Sequence, residues 1–458
     1  MANQEAGVRS HKRSHIILIP GFGGFDALGQ LEYYGGITPV FTPWRSGNEV
    51  LHYFDNFPTA AVATRATRLR EYLAKRIARG EIAPNDDVTL VGHSTGGLDI
   101  RMLLWELYPQ RDDTRPILID GGAPVKPRDL LSRIHRIVFL SVPHRGTNIA
   151  DWVQAEWVWR KTLIEELRAL LAGSQLVIAD RVESALSAQS GYMTGKGFFR
   201  AVQDALDEAN EHNGKHSDYR KAEAHEAASE LALYLRHIAS DFRAIDDLTS
   251  RPPWHSKTRR RKPMSPAHFN AEEREKEQEQ LQKIDNIEFR SYVTIGKRPF
   301  RFASGSAAPP WELLKPWTYP EMGKDSALSA ATDCMYTTCY RACAGGPFDP
   351  PDWNKEEGNR LSPRQPIEVW DNDGIVNTLS MFWPLGENVV VQADHMDIVG
   401  HYTPILADPG SGRKYRAYDL LKSDSGFDYA KFQEIWSEIF AFALGRPHVR
   451  RTRAARAA

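Results

Sequence analysis

Long apolar runs are absent from this chain of 458 residues. A membrane-spanning helix needs about 20 consecutive apolar residues, and no stretch approaches that length, so no transmembrane segment is predicted. The first 15 residues are polar, and the apolar stretch that follows them is too short for the core of a signal peptide. The sequence therefore predicts a cytoplasmic protein.

Neither sign of charge is in excess. The chain has 58 Lys and Arg residues against 59 Asp and Glu, a net charge of −1, which gives no electrostatic reason to expect a nucleic-acid partner. Cysteine is also scarce: Cys334, Cys339 and Cys343 all lie in "CMYTTCYRAC". An odd, clustered set argues against a disulfide framework, and a metal site would need a fourth soft ligand that is not near in sequence. We expect free or buried thiols, with one local disulfide as the alternative.

Apolar runs of strand length recur in the first third of the chain and are rich in Ile and Val. Helical spacing of Leu69, Leu73 and Ile77 predicts a helix between the second and third runs, and "GGLDIRMLLWELY" predicts another after the third. Strands that alternate with helices and are almost continuously apolar indicate a parallel sheet covered on both faces, the α/β class. The runs are 15–20, 37–43, 87–92 and 136–143.

The alternation is interrupted by two insertions. Residues 149–288 have mostly helical patterns, and strands resume at 288–296, 365–370 and 387–394. The predicted organisation is a first core part, a helical insertion and a second core part that contains an insert rich in Pro, Trp and Gly. Their ranges are 1–148, 149–288 and 289–458, with the insert at 298–364.

The sequence "GHSTGG" fits the pattern G-x-S-x-G, in which a serine stands on a tight turn between a strand and a helix. Such a turn forces strained backbone angles on Ser94, and side chains at Gly92 and Gly96 would clash with neighbouring segments. Because a strand is predicted before the pattern and a helix after it, we interpret Ser94 as a nucleophile.

An oxyanion hole needs two backbone N–H groups. One comes from the residue after the serine, Thr95, and the other from the loop after the first core strand. In "HIILIPGFGG" that loop turns at Pro20-Gly21, and Phe22 presents the second N–H.

In enzymes with this turn the acid and the histidine follow the serine in the chain. "VWDNDGIVN" offers Asp373, which we favour, and Asp371 as the alternative. His395 follows the last strand, with His401 close behind it, and we interpret His144 as a structural residue. In this hypothesis His395 removes the proton from Ser94, the acid fixes the imidazole tautomer, and water hydrolyses the resulting acyl-enzyme.

These segments together resemble the bacterial α/β-hydrolase lipases, above all the thermophilic Bacillus-type true lipases and, more distantly, the Pseudomonas and Burkholderia lipases. The matching segments are "IILIPGFGG", "GHSTGGLDIRML", "SVPHRGTNIADW", "WDNDGIVNTLSM" and "DHMDIVGH". The resemblance implies an α/β-hydrolase fold with Ser94, Asp373 and His395 as triad and Phe22 and Thr95 as oxyanion hole. It also implies that the helical insertion is a lid and cap.

The chain departs from these families at several points. The His-Gly pair usual before the oxyanion residue is Pro20-Gly21, and the zinc-binding segment of the thermophilic group has no visible counterpart. Many such lipases bind calcium through an acid two positions after the catalytic histidine. Asp397 occupies that position, but Tyr402 stands where a second acid is expected, so calcium is a weak expectation and no other cofactor is predicted.

The leading hypothesis is a serine hydrolase of an apolar carboxylic ester, a small molecule or a lipid. The tryptophans 152, 157 and 159 and the aromatics near 311–319 suggest an apolar pocket or lid face, or simply packing of the cap on the core. The alternatives are an acyltransferase, amidase or lactonase with the same triad, or a non-catalytic binding protein on a hydrolase scaffold.

Overall fold

A parallel β-sheet forms the centre of the protein in the computed structural model. The strands are β1 Ser14–Ile19, β2 Ala27–Leu28, β3 Leu31–Glu32, β4 Glu49–Tyr53, β5 Asp87–His93, β6 Ile134–Leu140, β7 Glu288–Ile295 and β8 Glu387–Gln392. The structure describes residues 12–24, 27–28, 31–111, 116–119, 122–155, 233–234, 237–238, 240–250, 265–284, 287–296, 367, 371–402 and 425–447.

Within these described ranges, six strands form one sheet in the order β4-β1-β5-β6-β7-β8, and each neighbouring pair is parallel. β2 and β3 form a separate antiparallel ribbon. The α-helices are α1 Ile37–Phe41, α2 Val62–Ala78, α3 Thr95–Leu107, α4 Pro127–Leu131, α5 Asn148–Ala155, α6 Ala244–Asp247, α7 Ala271–Gln282 and α8 Tyr429–Ala443.

Helices cover both faces of the sheet. In β1 the reason is visible in the sequence, because apolar side chains point to both faces and each face has to be buried. Ile16 and Leu18 pack into one apolar core together with α1 and α8, whereas Ile17 and Ile19 pack into a second core together with α2 and α3. All four side chains are fully buried, and each such burial stabilises the fold by about 1.5–3 kcal/mol. The prediction of an α/β fold with a mostly parallel sheet is confirmed.

The predicted strand at 37–43 is wrong. Residues Ile37–Phe41 form α1, a 3₁₀ turn follows at Thr42–Trp44, and the strand that pairs with β1 is β4. Pro39 and Pro43 explain the error, because proline has no N–H to donate within a sheet but is tolerated in the first turn of a helix. The other early strands and the helices α2 and α3 lie where they are predicted.

Several predicted features lie outside the described residues. They are the cysteine cluster, the tryptophans 157 and 159, the aromatics near 311–319, the insert 298–364, most of the helical insertion and, apart from Ile367, the strand 365–370. The side chain of Trp152 also lies outside them. The described parts of 149–288 include α5, α6 and α7. In the portions of the chain described, no helix combines the length and apolarity needed to cross a membrane.

The sheet has its topological switch point between β1 and β5. From β1 the chain moves outward to β4 at one edge, and from β5 it moves outward through β6 toward the other edge. Loops that leave neighbouring parallel strands in opposite directions open a crevice at their carboxyl ends, where ligands bind in open α/β sheets. The segments after β1 and β5 therefore border the crevice in which a ligand site is expected.

A buried cluster of two histidines and an aspartate lies at the opposite, amino end of the sheet. His15 in β1 is 2.9 Å from His52 in β4 (Nδ1 to Nε2), and its Nε2 is 3.2 Å from Oδ2 of Asp86. Burial lowers the pKa of His52 to about 3, and the positive charge of Arg76 acts in the same direction. Burial also lowers the pKa of His15, although Asp86 opposes this shift.

These pKa shifts predict that stability falls as the pH drops below 6.5. An unfolded histidine gains a proton near pH 6.5, whereas folded His52 stays neutral until about pH 3, so unfolding takes up protons in this window. Each proton contributes a slope of about 1.4 kcal/mol per pH unit. We expect His52→Gln to flatten the dependence of the free energy of unfolding on pH between 6.5 and 4, measured by urea denaturation. Above pH 7.5 the difference between the two proteins should not change with pH, and equal slopes below 6.5 would contradict the prediction.

Candidate active site

Ser94 lies on a sharp turn between β5 and α3. Its backbone has φ 52° and ψ −128°, in a region that non-glycine residues rarely adopt, and its N–H donates to the carbonyl oxygen of Leu140 at 2.9 Å. The residue is the N-cap of α3 and is 5% exposed. A strained, buried serine at the positive end of a helix dipole is an observation that points toward function.

The two glycines of the pattern stand where no side chain fits. A Cβ atom on Gly96 would lie 2.5 Å from the carbonyl oxygen of Ile19 and 2.7 Å from that of Pro20, and a Cβ on Gly92 would lie 2.7 Å from the nitrogen of Gly97. All of these neighbours are backbone atoms that cannot move aside cheaply. Gly96 therefore allows the Ser94 turn to lie directly against the end of β1, and Gly92 allows α3 to begin directly after the serine.

The predicted oxyanion residues are Phe22, on the loop after β1, and Thr95, the first residue of α3. Neither backbone N–H has a hydrogen-bond partner among the residues that the structure describes; for Thr95 this follows from its place in the first turn of a helix. The buried guanidinium of Arg65 donates from Nη2 to the carbonyl oxygens of Pro20 (2.7 Å) and Gly21 (3.2 Å). This fixes the direction of the two peptide groups before Phe22.

Arg65 is itself held by a buried carboxylate. Its Nε donates to both carboxylate oxygens of Asp99 on α3, at 3.1 and 3.0 Å, and Asn56 donates to Oδ2 of the same group at 3.1 Å. Both members of the ion pair are fully buried. The loop after β1 and the helix after Ser94 are thereby coupled through one charged contact, which no local sequence pattern signals.

Asp373 and His395 are in direct contact. His395 Nδ1 lies 2.7 Å from Oδ2 of Asp373, and the backbone N–H of His395 donates to the carbonyl oxygen of Asp373 at 3.0 Å. Oδ1 of Asp373 accepts from the N–H groups of Ile375 and Val376, at 3.0 and 2.8 Å. Of the two candidate acids, Asp373 and not Asp371 is therefore the carboxylate next to the histidine.

Asp373 has a further partner that the sequence does not reveal. The hydroxyl of Thr294, near the end of β7, lies 2.6 Å from Oδ2 of Asp373 and 2.8 Å from the hydroxyl of Ser141. All three side chains are buried, and Ser141 has a positive φ of 50°. The hydroxyl hydrogen of Thr294 points to the charged acceptor, since charge-assisted bonds are the stronger ones.

Ser94 and His395 lie on neighbouring segments. His93, next to Ser94, has its ring centroid 4.7 Å from that of His395, and its Nε2 lies 2.9 Å from the carbonyl oxygen of His395. The described residues include no hydrogen bond between the Ser94 hydroxyl and the His395 ring. Such bonds are often long before a substrate is present and tighten in the reacting complex.

The two other histidines near the site, His401 and His144, make contacts that are typical of structural residues. His401 Nε2 lies 2.9 Å from the carbonyl oxygen of Tyr33 and donates to it. His144 is packed against Trp383 and Phe139, with ring centroids 4.7 and 4.8 Å away. Burial and the positive charge of Arg101 keep the pKa of His144 well below its usual value, so the ring is neutral.

The residues around Asp397 do not fit a calcium site. Oδ2 of Asp397 already accepts from the backbone N–H of Asp394 at 2.8 Å and from the hydroxyl of Ser425 at 2.7 Å. Calcium takes six to eight oxygen ligands, and among the described residues no group of three or more His, Cys, Asp or Glu side chains could hold a metal ion. Tyr402 is buried in the apolar core formed with α8.

Two residues within the predicted helical insertion, Tyr234 and Phe242, lie against the loop after β1. Tyr234 donates through its hydroxyl to the carbonyl oxygen of Gly23 at 2.7 Å. The rings of Phe22 and Phe242 meet edge to face, with centroids 5.7 Å apart. An apolar surface therefore adjoins the Phe22 backbone.

The chain is similar to solved structures of EstA from Clostridium botulinum, lipase 1 from Pelosinus fermentans and the Staphylococcus hyicus lipase. The identities are 17%, 16% and 14%, with TM-scores of 0.41, 0.41 and 0.39. The matches cover 92%, 93% and 97% of this chain and 87%, 98% and 98% of those structures. No protein-family model and no curated protein sequence matches the chain. At such low similarity, function has to be inferred from the residues of this chain.

Proposed function

We propose that this protein is a serine-dependent carboxylic-ester hydrolase of the α/β-hydrolase class that acts on an apolar ester. The observation that carries the proposal is a strained serine at a helix N-terminus on a segment that contacts a histidine bound to a buried carboxylate. Both lie in segments that follow strands of the same parallel sheet, on the side of their carboxyl ends. A parallel sheet with its ligand crevice at this end supports the same conclusion.

In the proposed mechanism Asp373 holds the proton of His395 on Nδ1, which leaves Nε2 as the basic nitrogen. Nε2 takes the proton of the Ser94 hydroxyl as the oxygen attacks the ester carbonyl. The N–H groups of Phe22 and Thr95 stabilise the oxyanion that develops. The protonated histidine then gives its proton to the leaving alcohol, and water releases the acid from the acyl-enzyme by the same steps.

The edge-to-face pair of Phe22 and Phe242 supports an apolar acyl group as the substrate part that lies nearest the oxyanion residues. A polar acyl chain would lose hydration against these rings without gaining a hydrogen bond from them. We therefore infer esters of fatty or other apolar acids rather than of charged ones. The predicted helical insertion, which includes Phe242, is proposed as the cap over this apolar surface.

Covalent labelling tests the proposal. A fluorophosphonate should add to the wild-type protein once per chain, on the peptide that contains Ser94, as identified by mass spectrometry. The same protein should hydrolyse p-nitrophenyl esters from acetate to palmitate, and the preferred chain length will distinguish a lipase from a short-chain esterase. Ser94→Ala and the urea-unfolded wild type should take no label. A label on another residue, or ester hydrolysis without labelling of Ser94, would contradict the proposal.

A further inference from the structure

Tyr33 and His93 form a buried series of hydrogen bonds that connects three segments of the candidate site. The N–H of Gly21 lies 2.9 Å from the hydroxyl of Tyr33, that hydroxyl lies 2.6 Å from Nδ1 of His93, and Nε2 of His93 lies 2.9 Å from the carbonyl oxygen of His395. Gly21 precedes Phe22 and His93 precedes Ser94. These hydrogen bonds thus connect the loop after β1 and the serine turn to the loop that carries His395.

The direction of each hydrogen bond follows from chemistry. A backbone carbonyl can only accept, so Nε2 of His93 carries the hydrogen and donates to His395. Nδ1 of the same neutral ring is then an acceptor, and Tyr33 donates to it. The lone pairs of the Tyr33 oxygen remain to accept from the N–H of Gly21. All three bonds are therefore satisfied at once by a single arrangement of hydrogens.

Both side chains are held in their neutral forms. His93 is fully buried and Tyr33 is 4% exposed. Burial lowers the pKa of His93 well below its usual value and raises that of Tyr33 well above. The arrangement of hydrogens is consequently the same throughout the neutral pH range.

The packing around Gly21 leaves no freedom in this contact. A Cβ atom on Gly21 would lie 2.7 Å from the Tyr33 hydroxyl and 2.6 Å from Cβ of Ser94. The loop after β1 therefore lies directly against the serine. Two groups hold it there by hydrogen bonds: the Tyr33 hydroxyl accepts from the N–H of Gly21, and Arg65 donates to the carbonyl oxygens of Pro20 and Gly21.

From these contacts we propose that Tyr33 and His93 are positioning residues for ester hydrolysis, which set the spacing between the oxyanion N–H of Phe22, Ser94 and His395. The inference rests on the proposed function. Neither side chain is assigned a contact with the substrate; both act by holding backbone groups. A displacement of such groups by about 1 Å lowers the rate by about 100-fold.

Tyr33→Phe tests the inference, because it removes one oxygen atom and keeps the ring. We expect kcat for a p-nitrophenyl ester to fall about 10–100-fold, while KM changes by less than about threefold. Affinity for a trifluoromethyl ketone, which forms an oxyanion adduct with the serine, should fall by a factor similar to that of kcat/KM. A purely structural role would lower the melting temperature without changing this affinity.

Tyr34→Phe is the matched control. The Tyr34 hydroxyl is equally buried and donates to the carbonyl oxygen of Ile19 at 2.7 Å, within β1 rather than in the loop. This variant should lose a buried hydrogen bond and some thermal stability, but kcat should stay within about threefold of the wild type.

Nitrogen-15 NMR of labelled histidine gives a reading that does not depend on activity. His93 should appear as the Nε2–H tautomer with a hydrogen-bonded Nδ1, and Tyr33→Phe should shift the Nδ1 signal. If the wild type is active and labelled at Ser94 but Tyr33→Phe has unchanged kcat and ketone affinity, the positioning role is overturned and the proposed function stands. If the wild type neither hydrolyses esters nor takes the label, the proposed function fails and the positioning role with it, whatever the NMR spectrum shows.

Discussion

Replacement of Ser94 should abolish ester hydrolysis in two variants that differ in stability. We expect kcat/KM for p-nitrophenyl butyrate to fall about 10⁴–10⁶-fold in both Ser94→Ala and Ser94→Gly, as it does when triad enzymes lose their nucleophile. Neither variant has an oxygen that could attack the carbonyl, so the residual rate reports only on the groups that polarise the ester.

The same two variants should separate in their free energy of unfolding. At φ 52° and ψ −128° a residue with a Cβ atom is strained, typically by about 1–3 kcal/mol. Alanine keeps that strain, whereas glycine removes it and loses part of the gain through the greater freedom of the unfolded chain. We expect Ser94→Gly to be more stable than Ser94→Ala by about 1 kcal/mol in urea denaturation.

The prediction for activity and the prediction for stability would be contradicted by different results. Wild-type activity in Ser94→Ala would show that the nucleophile lies elsewhere, which would end the proposed mechanism. Equal stability of the two variants would show that the turn is not strained, without bearing on the chemistry. Circular dichroism of both variants serves as the control for an intact fold.

The features that the sequence predicted well are local ones. The strand-turn-helix around Ser94 and the apolar β1 depend on residues that are neighbours in the chain, so periodicity and the glycine spacing were sufficient. The position of β4 was missed because "ITPVFTP" has the apolar content of a strand, and its two prolines outweigh that content. The roles of Ser94, Asp373 and His395 remain predictions until the variants are measured.

What the sequence did not predict depends on contacts between distant segments. Tyr33 is 60 residues from His93, and nothing in "LEYYGG" marks its first tyrosine as a partner of the serine turn. The sequence favoured Asp373 over Asp371, but nothing in it indicates that the hydroxyl of Thr294, 79 residues away, lies against the carboxylate. The sequence of helix α7, "AEEREKEQEQLQ", is heavily charged, which is typical of a helix exposed to solvent, yet Glu277 within it is 2% exposed.

Glu277 forms a buried ion pair that joins α7 to the helix after Ser94. Arg101 on α3 donates from Nε to Oε1 of Glu277 at 2.9 Å and from Nη2 to Oε2 at 2.6 Å. The same guanidinium donates to the carbonyl oxygens of His144 (3.0 Å) and Pro266 (3.2 Å) and lies over the ring of Trp383. Every polar atom of this cation is thus satisfied by the protein.

Glu277→Leu should destabilise the protein by about 3–5 kcal/mol, because it leaves the charge of Arg101 buried without its counter-ion. Arg101→Met should have a similar effect by leaving the carboxylate unpaired. In the double variant Arg101→Met/Glu277→Leu no uncompensated charge remains, although the carbonyls of His144 and Pro266 lose their donor. We expect its loss of stability to be smaller than the sum of the single losses by about 3 kcal/mol or more.

Glu279→Leu is the matched control, since the substitution is the same and the helix is the same. Glu279 pairs with Lys283 at the surface, where the two side chains are 60% and 65% exposed, and an exposed pair contributes about 0–1 kcal/mol. Urea denaturation followed by tryptophan fluorescence should therefore show a large shift of the midpoint for Glu277→Leu and a small one for Glu279→Leu. Similar small shifts for both would mean that α7 is not fixed to α3 by a buried charge, and that the end of the predicted helical insertion is free to move relative to the helix that begins at the serine.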